Sequence, residues 1–403
     1  MTDLSRFLFG ALLALSLAYG VSESRALAFS PPETASGFQP KPLVKAKRHM
    51  VVAAHPLAAE AGLAILRKGG SAVDAGIAVQ MVLNLVEPQS SGIGGGAFIL
   101  YWDAAKKKLT SIDGRETAPS AATPELFLDK AGKPLPRETA IAGGLSVGVP
   151  GVIAALALAH EKYGKLPWAE LFEPAIALAY NGFPVSERLA KQLAEMNPDS
   201  FAPDARRYFF DAGGRPLPAG YLLTNPALAE TFEMIARGGP DVFYRGDLAR
   251  DIATTVQADP RKPGLLAAQD LAAYRAKERE PVCMLYRLHR ICGMGPPSSG
   301  GAAVAQILAL IEPFDLGSSP LSPRVAHILA EAERLAFADR ARYLADSDFV
   351  PVPLAGLLDP AYLDERRTLI DPDRALEHVI AGTPPNTRQG AFGNDGTNEK
   401  GGT

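Results

Sequence analysis

Ser146 is the serine whose surrounding residues match a known nucleophile motif. It lies in Gly144-Leu-Ser146-Val-Gly148, which matches the Gly-x-Ser-x-Gly turn of the α/β-hydrolases. In that fold the serine occupies the sharp turn between a strand and a helix, whereas here the next helix is predicted to start several residues later, at Pro150. None of the histidines that follow has a dedicated partner nearby: His160, His289, His327 and His378. We therefore favour a buried strand with small side chains here, and keep a serine esterase as the alternative.

A glycine run at residues 92–96, followed by Ala97, matches the Gly-x-Gly-x-x-Gly/Ala fingerprint of dinucleotide-binding proteins. That fingerprint works between a strand and a following helix, and here a predicted helix precedes it and a predicted strand follows it. The six histidines are scattered, and the sequence has neither His-Glu-x-x-His nor a paired Cys-x-x-Cys. No P-loop pattern occurs either. The sequence thus predicts no cofactor and no metal.

The two cysteines, Cys283 and Cys292, flank a predicted hairpin. A two-residue turn at Arg287 and Leu288 would place the cysteines directly opposite each other on the two strands, within disulfide range. We predict a structural disulfide, and two separate buried thiols are the alternative.

The N-terminus predicts export. Arg6 precedes an apolar stretch at residues 7–21, and Ala26-Leu27-Ala28 has the small-x-small pattern of a signal-peptidase site. The apolar stretch is shorter than the ~20 residues of a membrane span, so a cleaved signal peptide of residues 1–28 is favoured over an uncleaved anchor. A periplasmic or secreted protein meets oxidising conditions, which favours the disulfide. The net charge of −3 and the lack of a basic run make nucleic acid an unexpected partner.

Strands are interspersed with long helices, which predicts a layered α/β fold. Residues 29–49 form an extended lead-in, and a packed domain is expected at residues 50–381. Ser71 and Asp74 form a capping-box pattern before a buried helix. Strands are predicted at 50–54, 98–102 and 109–112, and helices at 56–68, 72–86, 150–163, 171–180, 226–237, 302–311 and 324–344. Residues 382–403 are poor in large apolar side chains and predict a flexible tail.

Several segments, in this order, resemble the large subunit of the gamma-glutamyltranspeptidase precursor. They are residues 53–75 with the glycine run 92–96, the segment Asp113-Gly-Arg115-Glu-Thr-Ala-Pro119, residues 149–185, the segment Gly295-Pro-Pro-Ser-Ser-Gly-Gly301, and Ala338-Asp-Arg-Ala341. The resemblance covers residues 50–371. We assign the glycines of these segments to architecture, because glycine allows a close approach of backbone, and expect Ser299 to cap the helix that follows.

The resemblance implies a four-layer αββα N-terminal-nucleophile hydrolase sandwich, built jointly by two subunits of a self-cleaving precursor. The threonine exposed by cleavage would attack gamma-glutamyl amides such as glutathione, with its own α-amine or a water as the base. Water, an amino acid or a peptide would then accept the gamma-glutamyl group. A related acylase for beta-lactam side chains or poly-gamma-glutamate, and an inactive truncated fragment or non-catalytic binding protein, are the alternatives.

The resemblance assigns Arg115 to the α-carboxylate of the donor. A guanidinium offers two parallel donors to a carboxylate, and a loop after a strand fixes its direction. The alternative is a local ion pair of Arg115 with Asp113 or Glu116.

Residues 398–403 resemble the approach to the cleavage junction, which makes Thr403 the candidate nucleophile. The alternative is that Thr403 precedes the cut. In both cases the oxyanion-hole amides of the small subunit are absent from this sequence, and such donors contribute on the order of 100- to 1000-fold in rate. We expect the 403-residue polypeptide alone to be inactive.

Overall fold

The structure is a computed structural model that describes residues 42–320 and 322–387. The predicted signal peptide, most of the lead-in, the end of the predicted tail and Thr403 lie outside the described residues. Within the described ranges, every helix is too short or too polar to cross a bilayer.

Two N-terminal helices begin where the sequence supplies capping groups. Helix α1 spans Pro56–Arg67, and the Nδ1 atom of His55 accepts a hydrogen bond from the Leu57 amide at 3.2 Å. Helix α2 spans Ala72–Val86. The Ser71 hydroxyl accepts from the Asp74 amide at 3.1 Å, and the Asp74 carboxylate accepts from the Ser71 amide at 2.7 Å. The predicted capping box and helix are therefore confirmed.

The sequence predicted five of the later helices to within two residues at each end, those at 150–163, 171–180, 226–237, 302–311 and 324–344, and missed the other eight. Thirteen helices follow α2 in the described ranges. In chain order they are α3 Arg137–Ile141, α4 Val152–Tyr163, α5 Glu173–Asn181, α6 Glu187–Glu195, α7 Pro203–Phe209, α8 Pro226–Gly238, α9 Asp241–Tyr244, α10 Asp247–Gln257, α11 Ala268–Ala273, α12 Gly300–Ile311, α13 Pro323–Tyr343, α14 Leu354–Leu357 and α15 Pro360–Arg367.

The strands form small antiparallel sheets. They are β1 Ala97–Asp103, β2 Lys108–Gly114, β3 Phe183–Pro184, β4 Leu222–Leu223, β5 Lys277–Arg279, β6 Val282–Tyr286 and β7 His289–Gly293. The largest sheet has the order β1-β2-β5, while β3 pairs with β4 and β6 pairs with β7. Mixed helices and strands confirm the predicted α/β class.

The expected strand at residues 50–54 is wrong, because these residues are irregular. Their apolar side chains suggested a buried strand, but Met50 is 53% exposed and Val52 is 85% exposed. The segment also has no ladder partner among the described residues, and without one an extended run is not a strand.

Two hydrophobic cores hold the described residues together. The larger lies beneath the β1-β2-β5 sheet, where α4 packs on β1 and β2. It includes the fully buried side chains of Ile77, Met81, Ile112, Ile153, Phe172 and Phe232. The smaller core lies among α12, α13 and the chain after α15, with Leu310, Ile328, Leu335 and Ile370 at its centre.

A buried carboxylate joins the smaller core to the first part of the predicted tail. Asp339 on α13 is 1% exposed and accepts hydrogen bonds from Gln306, from the Tyr362 hydroxyl at 2.7 Å and from the Gly382 amide at 2.9 Å. Arg366 lies 3.4 Å from Oδ1 of Asp339, the same oxygen that accepts from Gly382. Pro384 is buried as well, so the packed structure extends beyond residue 381. Composition did not indicate this, because the partner of Gly382 lies 43 residues away.

Candidate active site

Arg115 directly follows β2, and its backbone amide is held by its own strand. The Asp113 Oδ1 atom accepts a hydrogen bond from the Arg115 N–H at 2.9 Å. Asp113 is 6% exposed, because β2 lies between β1 and β5. Short side chains of this type readily bond the backbone two residues on and fix the chain as it leaves a strand. The local sequence thus sets the start of the Arg115 loop.

The second carboxylate oxygen of Asp113 is occupied by a distant arginine. Arg279 on β5 donates from Nε to Asp113 Oδ2 at 2.7 Å, and its two other nitrogens bond the carboxylate of Asp348 at 3.0 and 2.5 Å. Lys277 also bonds Asp348, at 2.8 Å. The hydrogen bonds from Arg279 and Lys277 hold the pKa of Asp348 well below its ordinary value. Asp113 therefore belongs to an extended ion-pair network.

The backbone carbonyl of Arg115 is held from the opposite side. The Tyr274 hydroxyl donates to this carbonyl at 2.7 Å. Tyr274 is 7% exposed, and its ring stacks on that of Tyr244 with centroids 5.8 Å apart. Burial raises the pKa of Tyr274 above its ordinary value, so the phenol stays protonated and remains a donor at neutral pH.

The guanidinium of Arg115 is left exposed. It lies 6.0 Å from the centroid of the Phe98 ring, within the range of a cation–π contact. Among the described residues, no Asp or Glu forms a salt bridge with it. The local ion pair with Asp113 that the sequence left open is not formed, because Asp113 pairs with Arg279. Glu116, the other candidate, directs its carboxylate towards Gly96.

The glycine run lies beside this loop and at the start of α4. The Gly95 carbonyl accepts hydrogen bonds from the amides of Gly151 and Val152, at 2.9 and 3.1 Å. A Cβ atom at Gly96 would lie 2.6 Å from both the Gly114 carbonyl and a Glu116 carboxylate oxygen. The order of a helix, the glycines and then a strand is as predicted, and the glycines serve close packing.

Three segments that resemble one family in sequence therefore meet in space. The glycine run contacts the start of α4, and Thr117 pairs with Val149 through hydrogen bonds of 2.8 and 3.4 Å. In sequence, Arg115 lies between Gly114, which packs on Gly151, and Thr117, which pairs with Val149. The guanidinium of Arg115 is therefore carried by a loop that the glycine run and the start of α4 both border.

Ser146 is not part of this grouping. The predicted strand around it is wrong, since residues Gly144–Ser146 form a turn of 3₁₀ helix and Ser146 is exposed. Its hydroxyl donates to the Ile141 carbonyl at 3.0 Å, and no described histidine bonds it. The nucleophile–base pair of a serine hydrolase is therefore not assembled around Ser146 in the described residues.

Two further expectations concern Ser299 and the cysteines. Ser299 precedes α12, but its side chain makes no capping bond and instead accepts from Arg340 Nε at 3.0 Å. Cys283 and Cys292 are directly opposite on β6 and β7, with Cα atoms 4.1 Å apart, and are joined by a disulfide.

Sequence reasoning missed Tyr274 and Arg279. Their partners lie 159 and 166 residues away, and neither residue stands in a recognisable motif. Clusters suited to a metal ion are absent from the described ranges. A groove of about 720 Å³ between α4 and α8 does not include Arg115.

Comparison with known proteins places these features in a family. Residues 58–403 match the family model described as gamma-glutamyltranspeptidase. The chain is 38% identical to the glutathione hydrolase proenzyme of Bacillus subtilis strain 168, over 94% of this chain and 64% of that protein. It is 39% identical to the acylase ACY 1 proenzyme of Pseudomonas sp. strain SE83, over 81% of this chain and 59% of the relative. The chain thus spans less than two thirds of the length of these curated relatives.

A solved structure shows the same fold. The crystal structure of Helicobacter pylori gamma-glutamyltranspeptidase matches with a TM-score of 0.80 and 35% identity, over 90% of this chain and 100% of that chain. The fold is therefore that of the N-terminal-nucleophile hydrolases. On sequence and structure together, the chain belongs to the gamma-glutamyltranspeptidase family.

Proposed function

We propose that the protein containing this chain hydrolyses and transfers the gamma-glutamyl group of glutathione and related gamma-glutamyl amides. The observation that carries the proposal is the exposed guanidinium of Arg115, which has no acidic partner among the described residues although Asp113 and Glu116 flank it. A free guanidinium on an anchored backbone suits bidentate binding of a carboxylate. The relatives named glutathione hydrolase proenzymes support a gamma-glutamyl donor.

The chemistry proposed is nucleophilic catalysis by a threonine. Its Oγ attacks the γ-carbonyl carbon of the donor while its α-amine or a water takes the hydroxyl proton. The C–N bond then breaks, the amine leaves with a proton, and an ester remains on the threonine. Water, an amino acid or a peptide attacks this ester and releases glutamate or a new gamma-glutamyl amide. Thr403 is the candidate nucleophile.

A small subunit from the same precursor is the proposed partner. The relatives are named as proenzymes, which supports self-cleavage into two subunits. On β1, Leu100 and Trp102 point to the same face and are 45% and 54% exposed, while Ile99 and Tyr101 pack on the larger core. An apolar sheet face of this kind suits a second layer of structure. We also propose export to the periplasm or medium, on the N-terminal pattern of residues 1–28.

The test is replacement of Arg115 in the complete two-subunit protein. With gamma-glutamyl-4-nitroanilide as donor, Arg115→Gln should lower kcat/KM about 10- to 100-fold, mainly through KM, because a charge-assisted hydrogen-bond pair is lost. Arg115→Lys should retain more kcat/KM than Arg115→Gln but less than wild type, since an ammonium group lacks the planar pair of donors of a guanidinium. Arg237→Gln, on a 71% exposed side chain of α8, is the matched control. Unchanged donor KM in Arg115→Gln would refute the proposal.

The relative named an acylase favours one second candidate, the related acylase for beta-lactam side chains. We take such an acylase to need no α-amine on the acyl group. Three anilides separate the candidates: gamma-glutamyl, glutaryl and butyryl. The first two share a terminal carboxylate for Arg115, whereas only the first carries the α-amine. Preference for the gamma-glutamyl compound supports transpeptidase activity, and preference for the glutaryl compound supports the acylase. In both cases the butyryl compound should be the poorest, because it lacks the carboxylate.

A further inference from the structure

The backbone of Arg115 is bonded on both sides of its Cα atom. Its N–H donates to Asp113 Oδ1 at 2.9 Å, and its carbonyl accepts from the Tyr274 hydroxyl at 2.7 Å. Strand β2 ends at Gly114, and the next regular pairing is that of Thr117 with Val149. Arg115 therefore lies in a short span without hydrogen bonds between strands. The side chains of Asp113 and Tyr274 bond its N–H and its carbonyl instead.

Both supporting groups are themselves held in place. The ring of Tyr274 stacks on Tyr244, whose hydroxyl donates to the Pro150 carbonyl at 3.0 Å. On the other side, Asp113 is paired with Arg279, whose side chain is 16% exposed and is bonded in turn to Asp348. Groups fixed by packing and by further hydrogen bonds hold a third group more accurately than mobile side chains would.

Both supports come from one stretch of chain that packs against the Arg115 loop. Tyr274 directly follows α11, and Arg279 ends β5. The guanidinium is several bonds from the Cα atom, so a small rotation of the backbone displaces it by much more than the backbone itself moves. Loss of either support should therefore misdirect the guanidinium without removing it.

We propose that Tyr274 and the Asp113–Arg279 pair are positioning residues that fix the backbone of Arg115 and thereby aim its guanidinium at the donor carboxylate. This inference depends on the function proposed above. Tyr274 reaches the Arg115 loop through the Arg115 carbonyl, and Arg279 reaches it through the Asp113 carboxylate, so both act through Arg115.

The cleanest variant is Tyr274→Phe in the complete two-subunit protein, because it removes one hydrogen bond and keeps the ring stacked on Tyr244. We expect KM for gamma-glutamyl-4-nitroanilide to rise about 3- to 10-fold, the range of one net hydrogen bond, with kcat changed less than twofold. Tyr343→Phe is the matched control, since its hydroxyl donates to the Gly382 carbonyl at 2.7 Å, away from Arg115.

A double-mutant cycle separates positioning from general structural damage. In an Arg115→Gln background, Tyr274→Phe should leave donor KM unchanged, because the side chain that it positions is gone. Hydrogen exchange of the amides at residues 113–117 should be faster in Tyr274→Phe, and this readout needs no substrate. Arg279→Lys, which keeps the charge and loses the fork to Asp113 and Asp348, is the second variant and should raise KM similarly.

The outcomes are distinct. If Arg115→Gln raises donor KM but Tyr274→Phe and Arg279→Lys do not, the positioning inference is overturned and the proposed function stands. Additive effects of Tyr274→Phe and Arg115→Gln would also overturn it, since Tyr274 would then act independently of Arg115. If Arg115→Gln itself leaves donor KM unchanged, the proposed function fails and the inference fails with it.

Discussion

Gly114 and Gly151 pack backbone against backbone where β2 meets the start of α4. A Cβ atom at Gly151 would overlap the Gly114 carbonyl oxygen and the Tyr274 hydroxyl, and one at Gly114 would overlap the side chain of Ala155. This contact places the first turn of α4 directly beside the loop that carries Arg115. The site is thus built on an approach that only glycine permits.

Gly151→Ala is expected to destabilise the protein by about 2 kcal/mol or more, because the added methyl group meets backbone that cannot move aside. Urea unfolding measures the change. Gly76→Ala is the matched control, since Gly76 lies in α2 with no atom near its Cβ position. It should be neutral or stabilising by up to about 1 kcal/mol. Equal effects of the two substitutions would contradict the close contact.

Asp339→Ala should cost about 3–5 kcal/mol, because it leaves the buried guanidinium of Arg366 without its anion and frees the Gly382 amide. Equilibrium unfolding gives the energy, and amide exchange near residue 382 should become faster. Asp364→Ala removes a carboxylate that is 65% exposed and should change stability by less than about 0.5 kcal/mol. If Asp339→Ala lowered the free energy of unfolding by only a small amount, Asp339 would not be the residue that holds the chain near Gly382 in place.

Acid should weaken the network around Arg279. Hydrogen bonds from Arg279 and Lys277 hold the pKa of Asp348 below its ordinary value of 3.8. The contribution of the ionised carboxylate to the free energy of unfolding is therefore complete above pH 3.8, and it is lost as the pH falls through the lowered pKa. At pH 7 Asp348→Asn should be less stable than wild type by roughly 1 kcal/mol, and the difference should shrink below about pH 4. Asp204→Asn, at an 89% exposed carboxylate, is the control. A difference that grows in acid would contradict the assignment.

The disulfide should stabilise the β6–β7 hairpin. Closing a loop over a sequence separation of 9 is worth at most about 2–3 kcal/mol in the chain-entropy estimate. The double variant Cys283→Ser with Cys292→Ser should be destabilised by up to that amount, as measured by thermal unfolding with and without reductant. Alkylation of both thiols in protein that was denatured without reductant would show that the bond does not form.

Ser146→Ala should leave catalysis unchanged in the complete protein. The Ser146 hydroxyl donates to the Ile141 carbonyl and has no histidine bonded to it among the described residues, so nothing there activates it. We expect no labelling of wild type by a fluorophosphonate probe. Labelling that disappears in Ser146→Ala would favour the serine esterase instead.

The local features of this chain could be predicted because they depend on neighbours in sequence. Ser71 and Asp74 cap α2 from three residues apart, and the spacing of Cys283 and Cys292 around a two-residue turn sets them opposite each other. Arg115 was identified from the segment around it and from family resemblance. An arginine suits this position because a guanidinium offers two parallel hydrogen-bond donors to a carboxylate.

The partners of these residues could not be predicted in the same way. Sequence alone left open whether Arg115 would pair with Asp113, and the structure decides this through Arg279, which lies 166 residues from Asp113. Tyr274, 159 residues from Arg115, likewise has no local signal. The prediction of a strand at residues 50–54 failed for the same reason, since a strand needs a partner and local sequence does not specify one.

The sequence by itself therefore determined seven of the fifteen helices in the described ranges, the cysteine register and the identity of the exposed cation. Only the tertiary structure decided that this cation stays free and that its backbone is held from two sides. Hydrogen bonds and ion pairs between remote segments depend on how the segments pack, and that packing is a property of the whole fold.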